Sequence, residues 1–295
     1  MTDPPRPGPG PASPASGGAF GTFIIKAANR CNIDCDYCYV FHLADQTWRQ
    51  LPARLSLDTA RTAAARIADH ARTHQLPVID VVFHGGEPLL VGLDHATQLL
   101  RIFADALTPV TRPRFAVQTN ATLITPGWLA LFERYAVTVG VSLDGPPAAN
   151  DRHRRTITGR STLAATERGI DLLRTRPGMF AGILAVVDLA NDPVAVHDHL
   201  AALQPPVIDF NLPHATHDTP PPRHDPGIPE YGRWLSAVFD TWTAGTWRHS
   251  IRILDDIIAL SSGAHTSVES LGLHPPGIIV VQNWTKELKQ RVPTK

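Results

Sequence analysis

Cysteine is scarce: the 295 residues hold three, at positions 31, 35 and 38, and none afterwards. A secreted disulfide scaffold spreads its cysteines and pairs them, so this pattern excludes one. Charge of one sign is also lacking, with Lys+Arg and Asp+Glu at 27 each, and nothing points to nucleic acid or an anionic membrane as partner. No apolar run approaches the roughly 20 residues that a membrane span needs. The first eighteen residues have no apolar core of the kind a secretory signal carries. Together these absences predict a cytoplasmic protein. What remains, 43% hydrophobic and 18% charged residues, is the composition of an ordinary globular chain long enough for one large domain or two smaller ones.

Residues 1–18 carry six prolines and four glycines and are expected to form a disordered tail. From Phe20 onward, short β-rich runs alternate with longer stretches whose apolar residues recur every three to four positions. Strands are expected at about 21–27, 77–83, 114–119, 137–142, 180–189 and, more weakly, 207–212. Helices are expected at about 57–75, 95–108, 125–135, 161–175 and 194–204. Strict alternation calls for a parallel sheet with right-handed crossovers. Six repeats fit an α/β fold of the partial (β/α)6 TIM-type barrel, with a doubly wound open sheet as the alternative. The expected organisation is a tail at 1–18, the barrel at 19–212, and a loop plus helical extension at 213–295. That extension holds helices near 229–244 and 250–262 and a strand-like run, Gly277-Ile-Ile-Val-Val281.

The three cysteines, Cys31, Cys35 and Cys38, have spacing C-x3-C-x2-C just after the first strand. A loop of this length wraps three thiolates around three irons of a cubane and leaves the fourth iron without a protein ligand. That open position is where a chelating small molecule binds. The competing assignment is structural zinc, since His42 would complete a Cys3His set. Against it, zinc sites usually pair ligands as C-x2-C and seldom sit on the first strand of a long alternating α/β domain.

Other candidates close the strands at the same barrel end, where ligand contacts are expected. The second strand ends in His84-Gly85-Gly86-Glu87-Pro88, in which two glycines let the backbone approach a ligand and Glu87 offers a carboxylate. The third ends in Gln118-Thr119-Asn120 and the fourth in Ser142-Leu143-Asp144-Gly145-Pro146. Taken alone, Gly-Gly-Glu is more often a turn, Asn120 caps a turn, and Asp144-Gly145 makes one.

With these segments together, the chain resembles the radical S-adenosylmethionine (SAM) superfamily, whose signature is C-x3-C-x-aromatic-C; Tyr37 is the aromatic here. The resemblance implies one [4Fe–4S] cluster on Cys31, Cys35 and Cys38, with SAM chelating the fourth iron. It implies SAM contacts at Tyr37, Gly85, Gly86, Glu87, Gln118, Asn120, Ser142 and Arg154. Glu87 would meet the SAM ammonium, and Arg154, the arginine of an H-D-x-x-R pattern, would meet the SAM carboxylate; the pattern's histidine is Asn150 here. One electron from the cluster cleaves SAM to a 5′-deoxyadenosyl radical, which takes a hydrogen from the substrate. Within the superfamily, the run from Phe23 to Arg49, the segments around His84, Ser142 and Asn191 and the later segment Glu269–Pro276 are similar to peptide maturases that form cyclophane cross-links. The partners so implied are a ribosomally made precursor peptide and a reductant such as ferredoxin or flavodoxin, with no nucleic acid and no membrane.

Most such maturases continue into a SPASM-type domain with further cysteines, so the resemblance implies a chain shortened relative to them. Two other functions stay open. One is formylglycine formation, as in sulfatase maturases, with Asp144 as catalytic base. The other is a remnant that only binds peptide or metal. His214 and His217, after the sixth strand, are either bases near the substrate or part of a surface loop.

Overall fold

The computed structural model describes residues 19–43, 45–215, 220–225, 227–246 and 249–263, and the backbone of 279–281. The tail expected at 1–18, the segment Glu269–Pro276 and His217 lie outside the described residues.

Ten strands and eight helices run through the described residues. In chain order these are β1 (Thr22–Ala28), β2 (Ile33–Cys35), α1 (Leu57–Thr73), β3 (Val78–Gly85), α2 (Leu93–Leu107), β4 (Arg112–Thr119), α3 (Pro126–Arg134) and β5 (Thr138–Ser142). There follow α4 (Pro147–His153), β6 (Arg154–Thr156), α5 (Leu163–Arg174), β7 (Phe180–Val186), α6 (Pro193–Ala202), β8 (Val207–Asn211) and α7 (Glu230–Ala244). The last three are β9 (Ser250–Ile251), α8 (Arg252–Ser261) and β10 (Ile279–Val281). Eight strands form one sheet in the order β10-β1-β3-β4-β5-β7-β8-β9, and every neighbouring pair in it is parallel. The six strands β1, β3, β4, β5, β7 and β8, each joined to the next by a helical crossover, make the partial barrel the alternation predicts. Short strands from beyond residue 212 extend both edges, β9 beside β8 and β10 beside β1. The boundary expected at 212 is therefore not a break in the hydrogen-bonded sheet.

Strand and helix periodicities set the layers. On β3, Ile79, Val81 and Phe83 are buried against the helices while Asp80, Val82 and His84 face the other way; Phe23, Ile25 and Ala27 of β1 repeat the pattern. From outside, α2 contributes Leu99, Phe103 and Leu107. Helix α1 begins at Ser56, whose hydroxyl accepts from the Thr59 amide at 3.1 Å, and buries the stripe Ala60, Ala64, Ile67, Ala68 and Ala71. The opposite, concave face mixes polar groups with apolar ones: Arg114 clamps Asp80 through Nε and Nη2, both at 2.6 Å.

Three elements have no expectation in the sequence. The helix α4 has only seven residues, and β2 and β6 form a two-stranded antiparallel pair apart from the main sheet. The expected fifth strand, 180–189, ends at Val186, and the helix expected at 250–262 gives its first two residues to β9. No helix among the described residues is long and apolar enough to cross a membrane.

Where β9 joins the sheet, His249 packs on the fully buried His197 of α6, with the two Nε2 atoms 3.3 Å apart. Burial first, then the neighbouring His197 ring, push His249 down to about 4. A depressed basic pKa means that the unfolded chain binds the extra proton between about 4 and the ordinary value near 6.5, so stability falls as pH drops through that window. Urea unfolding should show this loss between pH 6.5 and 4, and His249→Asn should flatten it. An unchanged pH slope in the variant would remove His249 as its source.

Candidate metal and cofactor site

The three cysteines stand at the C-terminal mouth of the barrel. Cys31 follows β1, Cys35 ends β2, and Cys38 closes a turn in which its amide donates to Cys35 O at 3.0 Å and the His42 amide to Cys38 O at 2.9 Å. The β2–β6 pairing sets Cys35 directly opposite Arg154, which explains why so short a ribbon exists. All three thiols are free and half-buried. Burial pushes Cys31 up to about 12 and Cys35 to about 11, so these thiols are protonated at neutral pH until a bound cation draws the protons off.

Zinc fits poorly. The His42 imidazole is turned away to Asp34, at 2.7 Å, and among the described residues no three His, Cys, Asp or Glu side chains are gathered closely enough for one metal ion. A cubane asks for the opposite, three thiolates spread over three separate irons. The donor set, three cysteines on one wall of a cleft, fits that group.

The cleft beside the cysteines has a volume of about 360 Å³. Cys31, Cys35, Cys38, Tyr37, Gly85, Gly86, Gln118, Asn120, Ser142 and Arg154 all border it. Gln118 on β4 and Ser142 on the neighbouring β5 stand side by side in its lining, the Gln118 amide donating to the Ser142 hydroxyl at 2.8 Å. Gly85 and Gly86 are dictated by crowding. Gly85 has φ of +151°, and a Cβ there would lie 2.2 Å from Ala28 O; one on Gly86 would lie 2.3 Å from Arg30 O. These close approaches allow the Gly86 and Glu87 amides to donate to Ala28 O and Arg30 O, each at 2.9 Å, tying the end of β3 to the start of the cysteine loop.

Two expected roles do not match the placement of the side chains. Glu87 is fully buried and is not part of the cleft wall. Its Oε1 accepts from the Leu89 amide at 2.9 Å and the Thr119 hydroxyl at 2.7 Å, and its Oε2 accepts from the Asn120 amide at 2.8 Å. Desolvation raises its pKa against these bonds. The carboxylate expected at an ammonium thus holds protein backbone, and the motif meets the cleft through its two glycines. Asp144, expected as catalytic base, is also off the cleft wall and 2% exposed. Its Oδ2 accepts from the Tyr37 hydroxyl at 2.6 Å and its Oδ1 from the Val186 amide at 3.1 Å. Both oxygens are committed to positioning, which leaves no free acceptor aimed at a substrate.

Arg154 is buried and completes this chain, its Nη1 donating to the Tyr37 hydroxyl at 3.0 Å. Burial opposes its charge, but its bond to the Tyr37 hydroxyl and the nearby Asp144 carboxylate outweigh burial and keep it protonated. Burial and the adjoining Asp144 hold the Tyr37 phenol well above its ordinary value, although Arg154 pulls the other way; it stays a donor to Asp144. The result is a fixed cation in a cleft wall, suited to a carboxylate.

Sequence reasoning missed several cleft residues: His84, Tyr39, Phe41, Leu184, Val186, Asn211 and Leu212. The β-period places Leu184 and Val186 on the concave face, a signal that was available; Tyr39 and Phe41 belong to an irregular loop that carries none. His214 borders the cleft and stacks on Tyr39 with centroids 5.3 Å apart.

The model of the Radical SAM superfamily matches residues 25–185, more than half of the chain, and the chain belongs to that superfamily. Its members use a [4Fe–4S] cluster and SAM. A serine-type anaerobic sulfatase-maturating enzyme of Klebsiella aerogenes is 34% identical over 201 residues, 68% of this chain and 48% of that protein. An uncharacterized Synechocystis protein is 36% identical over 161 residues, 53% of this chain and 38% of that one. The chain thus spans about half or less of the length of these curated relatives. Among solved structures, native anSMEcpe with bound AdoMet superposes with a TM-score of 0.70 at 23% identity, covering 84% of this chain and 68% of that one. Streptococcus suis SuiB bound to S-adenosylmethionine gives 0.53 at 16% identity, covering 78% and 49%. These two likenesses speak for the fold.

Because a Cβ on residue 86 collides with Arg30 O, Gly86→Ala should lower stability by about 1–3 kcal/mol and reduce the iron retained after reconstitution. Denaturant unfolding and iron analysis check both; full iron content at wild-type stability would mean that the contact between β3 and the loop is not needed.

Proposed function

We propose that this chain binds one [4Fe–4S] cluster through Cys31, Cys35 and Cys38 and SAM in the adjoining cleft, and abstracts a hydrogen from a peptide side chain to form a carbon–carbon, cyclophane-type cross-link. The observation that carries this reading is the convergence of three unpaired cysteines with Arg154, Gln118 and Ser142 on one cleft at the C-terminal ends of the strands. When bound, the cluster supplies one electron that cleaves SAM and yields the hydrogen-abstracting 5′-deoxyadenosyl radical.

The chain's own residues have definable tasks. Arg154, fixed through Tyr37 to Asp144, presents a cation to the SAM carboxylate. The glycines let the backbone of β3 approach the ligand, and Gln118 and Ser142 offer polar contacts along its lining. His214 stands at the mouth, where it accepts the proton that the substrate loses when the new bond closes; the remaining electron passes to an external acceptor. A ribosomally made precursor peptide is the substrate and a ferredoxin or flavodoxin the reductant in this scheme. The chemistry belongs to the cytoplasm, where thiols stay reduced.

A second reading is formylglycine formation, favoured by the 34% identity to a protein named as a serine-type sulfatase-maturating enzyme. Both reactions remove two hydrogens from a serine- or aromatic-containing peptide, so mass alone does not separate them. A carbonyl-trapping reagent does, because only the aldehyde reacts.

The test is anaerobic: protein reconstituted with iron and sulfide, dithionite, SAM, and synthetic peptides carrying either an aromatic residue near the C-terminus or a sulfatase-type serine. 5′-Deoxyadenosine should form with the native chain and fall at least about a hundredfold in Cys35→Ala, which removes a cluster ligand. A peptide lighter by two hydrogens and inert to the trapping reagent supports the cross-link; a trapped peptide moves the assignment to formylglycine. A colourless protein that retains zinc would overturn the radical reading.

A further inference from the structure

Asn120 borders the cleft, yet almost every atom of it is already engaged by the protein. Its backbone amide donates to the buried Glu87 carboxylate at 2.8 Å, and its carbonyl accepts from the Thr166 hydroxyl of α5 at 3.0 Å. The next residue, Ala121, is left-handed with φ of +59°, a conformation that costs a non-glycine residue about 1 kcal/mol or more and persists only when its surroundings enforce it. Those surroundings are visible: Ala121 O lies so close to Gly169 of α5 that a Cβ there would come within 2.3 Å.

The orientation of the Asn120 side chain follows from its partners. Its Oδ1 accepts from the Thr122 backbone amide at 3.0 Å, and an amide N–H can only donate. The NH2 end must therefore point the other way. There it donates to Asn32 Oδ1 at 2.9 Å and lies 4.0 Å from Cys31 Sγ, the outer limit of an N–H to sulfur contact. Asn32 closes the ring by donating to the Thr122 hydroxyl at 2.8 Å. The triad joins the end of β4 to the first half of the cysteine loop.

Resting on the reading of the cysteines as cluster ligands, we propose that Asn120 is a positioning residue for the cluster, its amide fixing the Cys31 segment and donating toward the Cys31 sulfur so as to raise the reduction potential, rather than a residue whose task is to hold SAM. A donor to a ligand sulfur stabilises the more negative, reduced cluster, one of the levers by which proteins set such potentials.

The experiment is a potentiometric titration of the reconstituted full chain without SAM, followed by electron paramagnetic resonance, with SAM affinity measured separately by calorimetry. Asn120→Asp keeps the shape and the oxygen that Thr122 needs but loses the donor; Asn120→Ala loses both. Each should make one-electron reduction harder by about two- to tenfold in its equilibrium constant, the size of one net hydrogen bond, with Asn120→Asp at the larger end. Thr122→Ala, which releases the amide without touching Asn120 itself, should shift it in the same direction and by less, and serves should either Asn120 variant fail to fold. An unmoved potential in all folded variants, with or without a loss of SAM affinity, overturns the proposal; if SAM affinity alone drops, Asn120 is a SAM contact. If the native chain takes up no iron–sulfur cluster, it is the underlying reading that fails.

Discussion

The geometry of the cleft rests on a buried carboxylate that forms no ion pair among the described residues. Glu87 is fully buried, and its two oxygens are answered by two amides and one hydroxyl from the turn after β3 and the end of β4. Burying an acceptor of this strength is costly unless its bonds are made, so the surroundings must adopt one geometry. That geometry draws Asn120 toward the cysteine loop, fixes the turn Pro88–Val91, and holds Gly85 and Gly86 against Ala28 and Arg30. The β-bulge on β1 between Lys26 and Ala28 falls at the same level and turns the chain out of the sheet where the cysteine loop begins.

A second buried charge, Arg154, organises the other side of the cleft. Its position follows from the small β2–β6 ribbon, in which Cys35 and Arg154 are register partners. The Tyr37 hydroxyl accepts from Arg154 and donates to Asp144, which in turn accepts from the amide of Val186 on β7. A cation, a phenol and a carboxylate thus link the cysteine loop, the ribbon and the sheet. Removing Asp144 would cost more than one bond, because the phenol and the guanidinium take their orientation from it.

Much of this was legible in the sequence, and the boundary is physical. Strand–helix alternation is written in hydrophobic period, so β1, β3, β4, β5, β7 and β8 could be placed within a few residues. The cysteine spacing, Gly85-Gly86 and the strand-end residues Gln118 and Ser142 were legible because backbone geometry alone decides which way they face. What failed were side-chain directions set by tertiary partners. Glu87 and Asp144 follow strand ends just as Gln118 and Ser142 do, but each turns inward to unpaired amides that no linear pattern reveals. His42 has ligand spacing, yet Asp34 captures its ring. The ribbon of β2 and β6 joins segments about 120 residues apart, too short for a propensity signal.

The cleft is divided in a way that bears on its chemistry. Gln118, Ser142 and Arg154 give the lining polar groups, while Leu184 and Val186 of β7 and Leu212 after β8 give it hydrocarbon; Leu184 is the register neighbour of Ser142, so the two kinds of surface adjoin at the β5–β7 seam. A polar wall with a fixed cation orients a charged small molecule without reorganising. The apolar side chains beside it lower the local dielectric, which strengthens the field of Arg154, and offer hydrocarbon surface to a second group in the cleft. A fixed cation adjoining an apolar surface in one cleft can orient a charged cofactor and still leave contact area for a second, less polar reactant.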